Sequence, residues 1–223
     1  MPTIQLTADG TPTLFVPELN EHYHSVNGAA QESRHIFLEA GLKHVAHPHV
    51  RILEIGFGTG LNALLTLQET ERRTDLSVEY YSIERYPLDD TLTTRLDYGT
   101  LLWPDEPQWF PRLHDATWNQ PVRLTPSFTL YKIEGDATTC PLPDNINLIY
   151  FDAFAPDKQP ELWTPEVFQR LARHTTDGGT FVTYCAKGEV RRRLQAAGFR
   201  MERLPGPPGK RHILRGTKEK SAE

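Results

Sequence analysis

The chain predicts an α/β fold: an open, mostly parallel sheet of seven strands whose last two form an antiparallel hairpin, preceded by a small β extension. Three observations predict it. Val50-Arg51-Ile52-Leu53-Glu54-Ile55 is an apolar run suited to a buried strand, and it ends in Gly56-Phe57-Gly58-Thr59-Gly60, where alternate glycines let the chain turn sharply or admit a ligand to the backbone. Leu61, Ala63, Leu64, Leu65 and Leu67 then have the spacing of a helix packing back on that sheet. Downstream, strand-like and helix-like segments alternate, and acids stand at or just beyond strand ends: Glu84, Asp136 and Asp152.

Composition bounds the rest. At 223 residues the chain suits one large domain. We divide it into an extension over 1–28, a main domain over 29–216 and a flexible tail over 217–223. Cys140 and Cys185 lack metal or disulfide spacing, so neither a zinc site nor an oxidising compartment is expected. The start has no basic and apolar leader, and no apolar run reaches the roughly 18–20 residues that span a bilayer, so a cytoplasmic protein without a membrane partner is expected. The net charge of −5 argues against a general nucleic-acid coat but leaves room for one basic face.

The elements follow in order. Residues 3–16 alternate apolar and polar about Asp9-Gly10, a hairpin signal; 17–28 read as an ordered loop, and a helix is expected from Ala29 to Lys43 with Ile36, Phe37 and Ala40 inward. Tyr23, Asn27 and Glu32 either line a ligand site or pack a surface loop. Ser77–Glu84 is the second strand, 87–97 is helical, and 98–120 is a Pro-containing connection whose Trp103, Trp109 and Trp118 either stack on a base or anchor irregular structure. Strands are expected over 128–133, 146–151, 180–184, 199–204 and 212–215, with helices over 164–174 and 188–197 and a helix stop at Gly178-Gly179.

The glycine spacing departs from a Gly-x-Gly-x-x-Gly dinucleotide site, because Leu61 stands where that pattern needs its third glycine. Glu54-x-Gly56-x-Gly58-x-Gly60 instead resembles motif I of Rossmann-like class I methyltransferases that use S-adenosyl-L-methionine (SAM). A merely structural turn is the alternative. On the methyltransferase reading, Glu54, Gly56, Phe57, Gly58, Gly60 and Asn62 hold the cofactor, Glu84 accepts from the ribose hydroxyls, and Asp136 with Ala137 meets the adenine. Asp152 stands where acceptor and cofactor meet, and is expected to contact the cofactor as well. Asp152-x-Phe154-x-Pro156 looks like a distant variant of the Asp/Asn-Pro-Pro-aromatic loop of amino-methylating enzymes.

Further segments extend the likeness in order: Asp9-Gly10-Thr11-Pro12, His22-Tyr23-His24-Ser25 with Asn27-Gly28, Glu84-Arg85-Tyr86-Pro87, Pro160-Glu161-Leu162-Trp163-Thr164 and Gly209-Lys210-Arg211. Together they resemble the methyltransferase family of tRNA 5-methylaminomethyl-2-thiouridine biosynthesis, which is one part of the bifunctional MnmC enzyme or stands alone in an MnmD-like form. The resemblance implies SAM as cofactor, no metal, and tRNA as partner, with a wobble 5-aminomethyl(-2-thio)uridine as acceptor. The family's Asp-Gly-Phe-Ala-Pro has Ala153 in place of glycine here, and its flavin domain is not expected in this chain.

Asp152, Phe154 and Tyr23 are the expected catalytic set, with Asp152 orienting the amine unless burial strengthens it as a base. Lys187, Arg191, Lys210 and Arg211 are the expected tRNA contacts, against the ordinary meaning of such runs as a solvated face. A monomer or weak homodimer is expected. A methyltransferase or aminopropyltransferase of small amines, and a noncatalytic SAM-binding subunit, are the competing functions.

Overall fold

A computed structural model of the protein describes residues 2–220. The extension is a three-stranded antiparallel sheet of β1 (Thr3–Leu6), β2 (Pro12–Val16) and β3 (Glu21–His22), in that order. Thr3 faces Phe15 and Leu6 faces Pro12 across the expected hairpin, and Gly10 takes the φ of 81° that the turn requires. β3 lies in the segment expected as a loop; two residues are too few for alternation to reveal them.

The hairpin turn also caps a helix. Ala29 and Ala30 N–H donate to the Thr7 and Thr11 hydroxyls, and Gln31 N–H donates to Asp9 Oδ2 at 2.9 Å. These bonds satisfy first-turn donors of α1 (Ala29–Ser33), whose preceding Gly28 has no side chain to offer. The helix expected over 29–43 changes pitch on the way: Arg34–Glu39 winds as a π-helix, and a 3-10 turn, Leu42–His44, follows Gly41.

The main sheet contains β4 (His49–Ile55), β5 (Ser77–Glu84), β6 (Pro121–Thr125), β7 (Phe128–Glu134), β8 (Ile146–Phe151), β9 (Thr175–Thr183), β10 (Phe199–Pro205) and β11 (His212–Lys218). Their spatial order is β10-β11-β9-β8-β4-β5-β7-β6. β9, β8, β4, β5 and β7 are parallel, while β10 with β11, β11 with β9, and β6 with β7 pair antiparallel. The sheet thus has eight strands, not seven. The added strand, β6, is at an edge and opens on Pro121, where a missing N–H costs a sheet least.

α2 (Leu61–Arg72), α3 (Asp90–Leu96), α4 (Tyr98–Leu102) and α5 (Trp109–Asp115) follow, the last two inside the expected connection. Trp103 stacks on Trp109 with ring centroids 6.5 Å apart, and Trp118 meets Phe57 edge-on. The tryptophans therefore anchor irregular chain. α6 (Pro165–His174) starts at Thr164, whose hydroxyl accepts from Val167 N–H, and α7 (Gly188–Ala196) follows β9.

Two boundaries differ from expectation. β9 starts at Thr175, directly after α6, so Gly178-Gly179 does not stop the helix; it lies in the strand where its register against β8 shifts. β11 runs two residues into the expected tail, to Lys218; residues 221–223 lie outside the described range.

Alternation along β4 sends Val50 and Ile52 to one face of the sheet, under α2 and α5, and Leu53 and Ile55 to the other, under α6 and α7. On β7, Phe128, Leu130 and Lys132 share a buried face, and Lys132 is 1% exposed. Its ammonium donates to His114 O and lies 4.6 Å from the Trp118 centroid and 5.4 Å from that of Phe57. Burial lowers its pKa to about 8. Lys132→Ala is expected to destabilise the fold by about 2–4 kcal/mol, through a cavity and an orphaned carbonyl. Urea denaturation checks this, and a loss within ±0.5 kcal/mol, the usual range for surface substitutions, contradicts it.

Candidate active site

From β4 the chain moves outward through β5 to β7, then returns to β8 on the other side of β4, so a crevice opens beyond the carboxyl ends of β4 and β8. Gly56 N–H donates to Ile83 O at 2.9 Å and Asp152 N–H donates to Ile55 O at 3.1 Å, which sets the two residues side by side. Here lies a cavity of about 520 Å³, within the roughly 300–1,000 Å³ range of small-molecule sites.

Gly56, Phe57, Gly58, Asn62, Glu84, Asp136, Ala137, Asp152, Phe154 and Tyr23 all line this cavity. The loop glycines have φ of 94°, 50° and 75° at Gly56, Gly58 and Gly60, a region open to few other residues. A Cβ on Gly56 would stand 3.2 Å from Asp152 O, and one on Gly58 would stand 3.0 Å from the Tyr23 ring. Gly60 does not line the cavity; it faces His114 and Phe57, and its bareness serves packing.

At the end of β5, Glu84 accepts from Gly58 N–H at 3.0 Å and Tyr86 N–H at 2.8 Å. It therefore fixes the glycine loop, and its remaining lone pairs suit a pair of hydroxyls. Asp136, at the end of β7, caps the Thr138 N–H at 2.8 Å and pairs with Arg85 at 3.0 Å. Its capacity to accept from a base is correspondingly reduced, though not exhausted.

Glu54 does not line the cavity. It is 1% exposed, accepts from Ser82 Oγ at 2.6 Å and from Asn62 Nδ2 at 3.0 Å, and reaches the site only because Asn62 Nδ2 also donates to Asp152 Oδ2 at 2.8 Å. Strand alternation turns it under α2, away from the opening. Burial, the largest influence, raises its pKa to about 8, so it is neutral at pH 7. Because the folded form keeps a proton that the unfolded chain releases above about pH 4.5, stability should fall as pH rises from about 5 to 8. Glu54→Gln should flatten that fall in thermal unfolding; an unchanged slope contradicts the assignment.

Asp152 has its carboxyl pushed well above the usual range, first by burial and then by the negative charge of Glu32, against the pull of Asn62 and Lys210. The condition for a stronger base is met. Its loop is held rigidly: Trp163 Nε1 donates to Phe154 O at 2.8 Å, Tyr184 OH to Ala153 O at 2.9 Å, and Phe154 N–H to Gln159 Oε1 at 3.2 Å. Tyr23 meets Phe154 edge-on, with centroids 5.1 Å apart.

The four expected tRNA cations separate. Lys210 lines the cavity, 3.0 Å from Glu32 and 5.1 Å from the Tyr184 centroid. Lys187 pairs with Asp157 at 2.8 Å, Arg191 is half-buried on α7, and Arg211 is exposed; none of these three lines the cavity. Glu32 lines it, whereas Asn27 instead packs against Gly209. Sequence reasoning missed Tyr184, Arg85 and Lys158 as lining residues. Tyr184 had a signal, since it follows the end of a central parallel strand.

Positive-φ glycines, of which Gly56 closes on the Asp152 carbonyl, with acceptors beyond β5 and β7, fit a nucleoside-bearing group such as SAM. Residues 114–219 match a family model described as S-adenosyl-L-methionine-dependent methyltransferase. Over 219 residues the chain is 34% identical to the tRNA 5-methylaminomethyl-2-thiouridine biosynthesis bifunctional protein MnmC of Pseudomonas syringae pv. tomato, covering 89% of this chain and 32% of that protein. The chain thus spans about a third of the length of the curated relatives it matches. The crystal structure of MnmC2 from Aquifex aeolicus aligns with a TM-score of 0.80 at 25% identity, covering 100% of this chain and 71% of the other. Spermidine synthase from Thermotoga maritima, at TM-score 0.57 and 12% identity over 99% of this chain and 73% of its own, shares the fold. The glycine loop, the strand-end acids and these likenesses agree with an S-adenosyl-L-methionine-dependent methyltransferase that is similar, over most of its length, to part of MnmC.

Proposed function

We propose that the chain methylates the amino nitrogen of 5-aminomethyl(-2-thio)uridine at the tRNA wobble position, giving 5-methylaminomethyl(-2-thio)uridine. One observation carries the reading: a buried carboxyl with a raised pKa, Asp152, stands beside the glycine loop in a cavity that the facing Tyr23 and Phe154 rings also line. The similarity to the tRNA 5-methylaminomethyl-2-thiouridine biosynthesis bifunctional protein MnmC supports the tRNA substrate class.

When bound, SAM supplies a methyl group already activated by its sulfonium. The chain's residues must align and deprotonate the acceptor. An alkyl amine with a pKa near about 10.4 is protonated at pH 7, and freeing it costs about 1.36 kcal/mol per pH unit. Asp152 takes that proton, and its raised pKa narrows the gap between base and amine. Phe154 and Tyr23 cover the uracil, and Asn62 fixes Asp152 Oδ2. Alignment of this kind supplies up to roughly 7–11 kcal/mol.

The RNA backbone meets Arg85 and Lys158, which line the cavity, and the exposed Arg211 beside Lys210, with Lys187 just before α7 and Arg191 within it as further contacts. Lys210 serves the pocket instead. Lys158→Glu with Arg211→Glu should weaken tRNA binding and flatten its salt slope by about 2; an unchanged slope would put RNA on another face. Methyl transfer should also disappear when the acceptor preparation is treated with RNase. Transfer that survives RNase, or that goes equally well to spermidine, would favour a small-amine acceptor.

A further inference from the structure

We propose that Glu32 and Lys210 form a charge-setting pair for Asp152, fixing the pH above which the site turns over. This rests on reading Asp152 as the acceptor of the amine's proton.

The two residues come from opposite ends of the chain. Glu32 lies in α1 and is 8% exposed; Lys210 lies in the loop between β10 and β11. Lys210 Nζ is 3.0 Å from Glu32 Oε1, and Ser25 N–H donates to Glu32 Oε2 at 2.8 Å. The ammonium also lies 5.1 Å from the Tyr184 centroid, and the hydroxyl of that ring holds Ala153, the neighbour of Asp152. Glu32, Lys210, Tyr184 and Asp152 all line one cavity. The frame around the pair is braced: His35 Nε2 donates to Pro205 O at 2.8 Å, and Asn27 fills the space beside Gly209.

Polar groups that act on Asp152 come from six elements, while, among the described residues, Glu84, Arg85, Lys158 and Glu161 line the same cavity without a contact to it. α2 presents Asn62, β4 Glu54, β5 Tyr80, the end of β9 Tyr184, α1 Glu32 and the β10–β11 loop Lys210. Glu54 is neutral at pH 7, and burial raises both tyrosines, so they too are neutral. Glu32 and Lys210 are then the full charges of this set. They act oppositely: Glu32 favours the protonated carboxyl of Asp152, and Lys210 favours the carboxylate. Tying two segments together is a poor account of the pair, since a partly exposed ion pair adds little stability.

In the step itself the amine's lone pair forms the N–C bond as the S–C bond breaks with its electrons on sulfur. The nitrogen's proton passes to Asp152. A carboxyl protonated before the amine arrives cannot take it, so the acid limb of kcat/KM reports the pair's setting.

The test is that limb, measured with SAM and tRNA from cells lacking this gene. Lys210→Met should move it up by about one pH unit, Glu32→Gln should move it down by about as much, and the double variant should return it close to wild type. Lys210→Arg should leave it in place. Unfolding midpoints of the same variants report any loss of tethering separately. If the single variants leave the limb unmoved or shift it in the same direction, while the wild type transfers methyl to tRNA, the pair is only a structural tie. If the wild type transfers no methyl to that tRNA at any pH, the amine reading itself fails.

Discussion

Asp152→Asn is expected to lower methyl transfer by about 10²–10⁴, the range attributed to a positioned acid or base, while SAM affinity stays within a few-fold of wild type. The argument is geometric before it is electrostatic. Asp152 Oδ2 accepts from Asn62 Nδ2 at 2.8 Å, and its backbone N–H is tied to Ile55 O, so the asparagine occupies the same place with nearly the same volume. The cofactor's own contacts, the glycine loop and Glu84, are untouched. What vanishes is the carboxylate that burial and Glu32 have made a stronger base than an ordinary aspartate. Single-turnover rates and calorimetric titration with S-adenosylhomocysteine separate the two effects. Near-normal turnover would remove Asp152 from the chemistry, and an equal loss of binding would make it a cofactor ligand.

Gly56→Ala should do the reverse, raising the SAM dissociation constant by about 10–100-fold. Its φ of 94° lies outside the small left-handed region that other residues enter, and such strain costs about 1–3 kcal/mol. The added methyl would also meet Asp152 O at 3.2 Å, a backbone atom of the residue that follows β8 and whose N–H is tied to Ile55 O. Gly58 offers a built-in comparison. Its φ of 50° falls within that left-handed region, and its neighbour at 3.0 Å is the Tyr23 ring, a side chain at the cavity wall that can yield. Gly58→Ala should therefore bind SAM better than Gly56→Ala. Equal losses at the two positions would mean that the loop is sensitive to any methyl group, whatever its conformation.

Much of this arrangement was legible because its signals are local. Gly56, Gly58 and Gly60 interrupt an apolar run at fixed spacing, and Glu84, Asp136 and Asp152 follow apolar strands, so strand ends and site residues could be placed together. β6 escaped because an edge strand starting with proline lacks the apolar run of a central one. α4 and α5 escaped because they are five and seven residues long, shorter than a helical repeat needs to declare itself. Glu54 was placed in the cavity because motif and strand register point to the same end of β4; alternation then turns its side chain under α2. Lys210 was expected among the tRNA contacts rather than in the pocket for a different reason. Its partner Glu32 is distant in sequence, and only the fold brings α1 against the β10–β11 loop. Lys132 had a readable signal, as it alternates with Phe128 and Leu130, but a lysine at an inward position reads as surface until its aromatic neighbours are known.

The measurement that tests the central claim most directly is transfer of labelled methyl from SAM into bulk tRNA from cells lacking this gene, followed by digestion and nucleoside analysis. Label in 5-methylaminomethyluridine or its 2-thio form, lost with Asp152→Asn, is the predicted result. Label in any other nucleoside, or none while SAM binding is intact, would contradict it.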